Sequence, residues 1–170
     1  ADGKFVLNVP EVGDDITHKE LTAWTLEAWV KPKKAVKVEN GVAVRQVIIR
    51  RTVGRLSDGD LVNYEMGLTD EGLPYAGFTV AKEDATMPEE GFRVEPIYAA
   101  MTTEEEYIPW DDDTWYHLAA TYEVDASSTG VIRIYINGVE AFRRENVADI
   151  PHTSLNGLGG ITIAGPFPQD

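Results

Sequence analysis

Two short acidic stretches carry side chains suited to holding a cation: Asp58-Gly59-Asp60 and Asp111-Asp112-Asp113. Alternate carboxylates in loops supply the hard oxygen ligands that calcium takes, about six to eight of them in flexible geometry. Neither stretch has the length or the closing Glu of an EF-hand loop. Aromatic side chains form the second group, because a saccharide stacks the apolar side of its ring on an aromatic face while polar groups bond its hydroxyls. Tyr107 and Trp110 share the acidic segment TTEEEYIPWDDDT (102–114), Tyr75 follows the DEGLP turn, and Tyr135 and Phe142 flank the Asn137-Gly138 pair. Trp24, Trp29 and Trp115 fall within regular strand patterns and are assigned to the core.

Other chemistries are poorly supplied. Without cysteine there is no disulfide scaffold, thiolate metal site or cysteine nucleophile. His18, His117 and His152 have no second His or Cys at metal-ligand spacing, and His117, in mid-strand, reads as a satisfied, partly buried side chain. No G-x-S-x-G elbow surrounds Ser57, Ser127, Ser128 or Ser154, and GLGG (157–160) lacks the strand and helix that frame a phosphate loop. In each of Arg50-Arg51 and Arg143-Arg144, strand alternation sends one member inward, where an unpaired charge is costly. Glu27 or Glu65 is the expected cross-strand partner.

The chain has 170 residues, enough for one domain that buries roughly 70 % of the surface its unfolded form exposes. No apolar run approaches the length of about 18 residues that a membrane span requires, so no membrane insertion is expected. Twenty-nine acidic residues against fifteen basic give a formal charge of −14, which opposes binding to a phosphate backbone and excludes nucleic acid as the expected partner. The opening ADGKFVLNVP has neither an initiator Met nor a leader pattern and reads as a processed protein or a domain cut from a longer one.

These residues must be positioned by strands. Ten short runs rich in β-branched and aromatic residues recur: 4–9, 24–31, 45–53, 62–69, 73–80, 92–101, 115–123, 131–137, 139–145 and 160–165. Gly-, Asn-, Asp- and Ser-rich turns separate several of them. Helical periodicity is missing, apart from a turn or two around 84–91. About ten to twelve strands in one domain predict an all-β, two-sheet antiparallel β-sandwich, with a barrel as the alternative. Asn137-Gly138 predicts a type I′ hairpin that pairs Ile136 with Val139, Ile134 with Ala141 and Ile132 with Arg143, leaving Tyr135 and Phe142 on the outer side.

In order, TLEAWVKP (25–32), WYHLAATYE (115–123), GVIRIYINGVEAF (130–142) and GGITIAG (159–165) resemble the LamG-like jelly-roll domains of the concanavalin A-like lectin and glucanase superfamily. The resemblance spans nearly all of residues 1–170 and implies a single jelly-roll domain placed outside the cell, on its surface or in the periplasm. It also implies a calcium ion at the sandwich rim, for which Asp2 in the opening Asp-Gly and Asp125 at the end of a central strand join Asp58, Asp60, Asp111 and Asp113. The glucanase motif E-x-D-x-x-E is missing from the sequence. The expected function is therefore a non-catalytic module, not an enzyme, that recognises a glycan or polysaccharide with calcium support. The alternative is an adhesive or assembly domain that binds an extracellular protein or a neighbouring domain.

Overall fold

The structure is a computed structural model that describes residues 7–9, 21–32, 38–39, 42–43, 45–87, 91–101, 110–111, 113–151 and 161–163. Its strands in chain order are β1 (Leu7–Val9), β2 (Ala23–Val30), β3 (Val38–Glu39), β4 (Val42–Ala43), β5 (Gln46–Leu56), β6 (Gly59–Leu68), β7 (Pro74–Glu83), β8 (Phe92–Ala100), β9 (Tyr116–Val124), β10 (Gly130–Ile136), β11 (Val139–Val147) and β12 (Ile161–Ile163). One sheet runs β1-β12-β5-β6-β7-β8, the other β11-β10-β9-β2, and β3 pairs with β4.

Eight long strands, four in each large sheet, form the body of an all-β antiparallel sandwich. The expected ten to twelve strands are reached only by counting β1, β3, β4 and β12, which are two or three residues long. The described residues include no helix.

Alternation builds the core. Tyr116, Leu118, Ala120 and Tyr122 of β9 and Ile132, Ile134 and Ile136 of β10 face inward, one residue in two. They meet Met66, Ala76, Phe78, Val80, Ile97 and Ala99 of the opposite sheet in one apolar cluster. Phe78 and Tyr122 join the two layers edge to face, with ring centroids 5.1 Å apart. From Pro74 to Val80, β7 is buried on both faces, so its outward residues are covered as well.

The Asn-Gly hairpin forms as its turn chemistry requires, with φ of 51° at Asn137 and 80° at Gly138. Ile136 faces Val139 as expected, but a register shift between Ile134 and Tyr135 then sets Ile134 opposite Phe142 and Ile132 opposite Arg144. This β-bulge slips the pairing by one residue. Phe142 consequently packs against the core instead of lining the outer side. Asn137 also pins the turn to β9: its side-chain oxygen accepts from the His117 amide at 2.9 Å, and its own amide donates to the His117 carbonyl at 2.8 Å.

Candidate functional site

A polar constellation lies on the outer face of β5–β8. Register places Arg50 opposite Glu65, Glu65 opposite Gly77, and Gly77 opposite Tyr98, one row across four strands. The glycines make room for the rings. A Cβ on Gly77 would stand 2.5 Å from Cδ1 of Tyr98, and one on Gly67 would stand 2.8 Å from Cε1 of Tyr75. An isolated glycine within a strand marks this kind of close approach.

Glu65 is the hub and is 1 % exposed. Arg50 Nε lies 3.2 Å from its Oε2, an ion pair without the alignment of a hydrogen bond, and the Tyr75 hydroxyl donates to its Oε1. Arg50 also reaches Asp60 at 2.7 Å. Arg51 turns to the other side of the strand and is buried opposite Tyr64. The expected Arg–Glu65 cross-strand pair forms, but through Arg50 on the outer face and not through Arg51, the member that turns inward.

Arg45 closes the arrangement. Its guanidinium carbon sits 4.6 Å from the Tyr75 ring centroid and 4.8 Å from that of Tyr98, with Glu65 Oε1 3.7 Å from Nη1. Stacking on two aromatic rings favours a guanidinium over an ammonium. Its side chain stays 48 % exposed, so cationic N–H donors face solvent from an otherwise buried cluster. Burial and, secondarily, the Glu65 charge push the Tyr98 phenol up to about 12, and the same causes push Tyr75 higher still. Both are held as neutral phenols.

The residues singled out in the sequence are scattered by comparison. Tyr75 belongs to the cluster, although its ring is 1 % exposed and cannot serve as an open stacking face. Trp110 is 4 % exposed, packs edge-on against Tyr116 and donates its indole N–H to the Gly72 carbonyl at 2.7 Å, which makes it a loop anchor and corrects its assignment as a ligand platform. Phe142 is likewise corrected to a core-packing side chain by the bulge. Tyr135 remains half-buried on the outer face of β10. Tyr107 and Asp2 lie outside the described residues.

The described carboxylates do not fit a shared calcium ion. Asp58 accepts from the Val94 amide at 2.9 Å, Asp60 is held by Arg50 and Arg55, and Asp113 pairs with Lys31 at 2.6 Å. Asp111 is exposed, and its amide donates to the Tyr116 hydroxyl. Asp125 accepts from Ser127 and Thr129 in its own turn, and these hydrogen bonds, the Ser127 hydroxyl first, lower its pKa. Among the described residues no three His, Asp or Glu side chains gather as a metal site.

Sequence reasoning missed Arg45 and Tyr98, and it placed Trp29 and Trp115 inside. Both indoles are exposed, at 66 % and 58 %. The signal was parity: Trp24 and Leu26 face the core, so Trp29, an odd number of positions away, faces out.

The family model for the Concanavalin A-like lectin/glucanases superfamily matches residues 10–162, and the chain belongs to that superfamily. No curated protein sequence matches it. Among solved structures it is similar to an endo-β-1,4-glucuronan lyase from the fungus Trichoderma reesei, with a TM-score of 0.54 at 10 % identity over 96 % of this chain and 63 % of that one. The chain therefore spans less than two thirds of the lyase's length. A tailspike protein 2 from the Escherichia coli O157:H7 bacteriophage CAB120 has a TM-score of 0.45 at 13 % identity, covering 86 % of this chain and 18 % of that one. Alginate lyase vAL-1 from Chlorella virus scores 0.45 at 12 % identity, over 84 % and 61 %.

The likeness to the glucuronan lyase overturns the expectation that the chain is not an enzyme. That expectation rested on the missing glucanase motif, which addresses one kind of glycan cleavage. A lyase with the same fold shows that the fold also accommodates another.

Proposed function

We propose that this chain engages a carboxylate-bearing polysaccharide on the outer face of β5–β8, outside the cell. The observation that carries the reading is Arg45: a half-exposed guanidinium lying over the rings of Tyr75 and Tyr98, which themselves meet edge to face. A guanidinium fixed in this way presents its N–H fork to a uronate carboxylate in bidentate fashion, while the partly exposed Tyr98 ring offers apolar surface to the sugar. Glu65 and Arg50 brace the cluster from behind, so little ordering remains to be done on binding. The glucuronan lyase that shares the fold acts on a polyuronate and supports this choice of ligand.

A second reading, cleavage by β-elimination, is favoured by Tyr98. Such a reaction needs a cation against the uronate carboxylate, a base for the C5 proton and an acid for the departing glycosidic oxygen. Arg45 supplies the cation, and the Tyr98 hydroxyl, which burial holds protonated, would give its proton to the departing oxygen. The C5 proton must go to a base from outside this cluster, because the cluster's carboxylate, Glu65, is buried and engaged by Arg50 and Tyr75.

Titration calorimetry with polyglucuronate and alginate oligosaccharides tests binding, with neutral glucan oligosaccharides as the comparison. Ultraviolet absorbance of the unsaturated uronate product, followed on the same samples, tests cleavage. Acidic oligosaccharides that bind the parent and lose affinity in Arg45→Ala, with any neutral-glucan binding unaffected by that variant, support the reading; no binding of the acidic oligosaccharides, or binding unchanged in Arg45→Ala, rejects it.

A further inference from the structure

On the opposite sheet, Trp29 near the end of β2 and Trp115 just ahead of β9 present exposed indoles. Register sets Trp29 directly opposite His117, whose ring packs against it with centroids 5.3 Å apart. His117 Nε2 is 3.5 Å from Glu27, the next outward residue of β2. Trp115, two positions before His117, is a diagonal neighbour of Trp29, and such neighbours stand roughly 7–8 Å apart. Lys31 and Asp113 pair at 2.6 Å and tie the approach to β9 against the end of β2. The backbone of His117 is in turn fixed by Asn137. The two indoles therefore form a braced platform.

Area and charge decide what it fits. The exposed parts of two indoles amount to roughly 300 Å², well short of the roughly 800 Å² per partner that a stable protein interface buries. Among the described residues, the cations of the face are already engaged: Arg133 by Glu123 and Glu140, Arg143 by Glu140 and Glu145, Lys31 by Asp113. Glu27, 71 % exposed beside the indoles, would repel an acidic chain. Two exposed indoles flanked by a carboxylate and an imidazole that can bond hydroxyls match an uncharged saccharide. We infer that Trp29 and Trp115 form a binding platform for a neutral glycan chain, separate from the Arg45 surface.

Native gel retardation in hydroxyethylcellulose, mixed-linkage β-glucan and galactomannan tests this on the full chain. None of these carries a carboxylate for Arg45 to bind, so the result is independent of the acidic-polysaccharide reading. Retardation is expected in at least one gel, weakened about tenfold by Trp29→Ala and by Trp115→Ala and partly restored by Trp29→Phe. Both alanine variants should keep the parent's thermal midpoint, since each removed ring is exposed. Three results would overturn the inference: no retardation in any gel, equal retardation of the parent and both variants, or a concentration-dependent dimer that either variant abolishes.

Discussion

Arg50 and Glu65 face each other across β5 and β6, with Nε 3.2 Å from Oε2 and the carboxylate 1 % exposed. A buried carboxylate stripped of its partner is far costlier than an exposed one. Arg50→Ala should therefore destabilise the fold by about 3–5 kcal/mol, while replacing both residues with Met and Leu should cost much less. Urea denaturation of the two variants against the parent measures the difference, and equal losses would contradict the account.

Gly67 and Gly77 are held by crowding. A Cβ on Gly77 would approach the Ile97 carbonyl oxygen to 2.1 Å as well as the Tyr98 ring, and one on Gly67 would approach the Gln46 carbonyl oxygen to 2.2 Å. Gly77→Ala and Gly67→Ala should each cost about 1–3 kcal/mol or more, as overpacking does. Thermal unfolding gives the loss. A neutral effect at both positions would mean that the tyrosine rings do not lie over the glycines.

The sequence carried the framework well because alternation and turn chemistry are local. Each of the ten extended runs contains or overlaps one of the strands, and Asn137-Gly138 closes its hairpin. The bulge that redirects Phe142 was not legible, since inserting one residue changes the pairing without changing composition. The site was harder still. Arg45, Glu65, Tyr75 and Tyr98 come together only through the register of β5–β8. The acidic loops stand out by charge, yet Asp58, Asp60 and Asp113 are each engaged by a neighbouring donor or cation. Parity alone would have moved Trp29 outward.

Alkaline pH should expose the buried phenols. Tyr98 is raised to about 12 and Tyr75 higher, against the usual value near 10 for an unfolded tyrosine. Above about pH 10 the unfolded chain releases these protons while the folded chain retains them. Their contribution is therefore fully present below pH 10 and is lost as pH rises toward 12, by about 1.4 kcal/mol per pH unit for each raised tyrosine. Urea midpoints between pH 8 and about 11.5 should fall less steeply in Tyr98→Phe. An unchanged slope would show that Tyr98 titrates normally.

Calcium should leave the described fold unaffected. An ion present at about a hundred times its dissociation constant adds about 2.7 kcal/mol to a protein that binds it only when folded. Asp58, Asp60, Asp113 and Asp125, dispersed and each already engaged by a neighbouring donor or cation, predict no such gain. Thermal midpoints in excess calcium and in chelator should coincide, and a clear rise with calcium would contradict this.

The central claim rests on one guanidinium, and affinity for polyglucuronate in Arg45→Ala and Arg45→Lys tests it most directly. A charge-assisted contact of this kind contributes about 1.5–3 kcal/mol, so Arg45→Ala should weaken binding at least tenfold. Arg45→Lys should recover only part of the loss, because an ammonium keeps the charge without the planar fork. Parent-like affinity in Arg45→Ala would contradict the assignment of this face as the polysaccharide site.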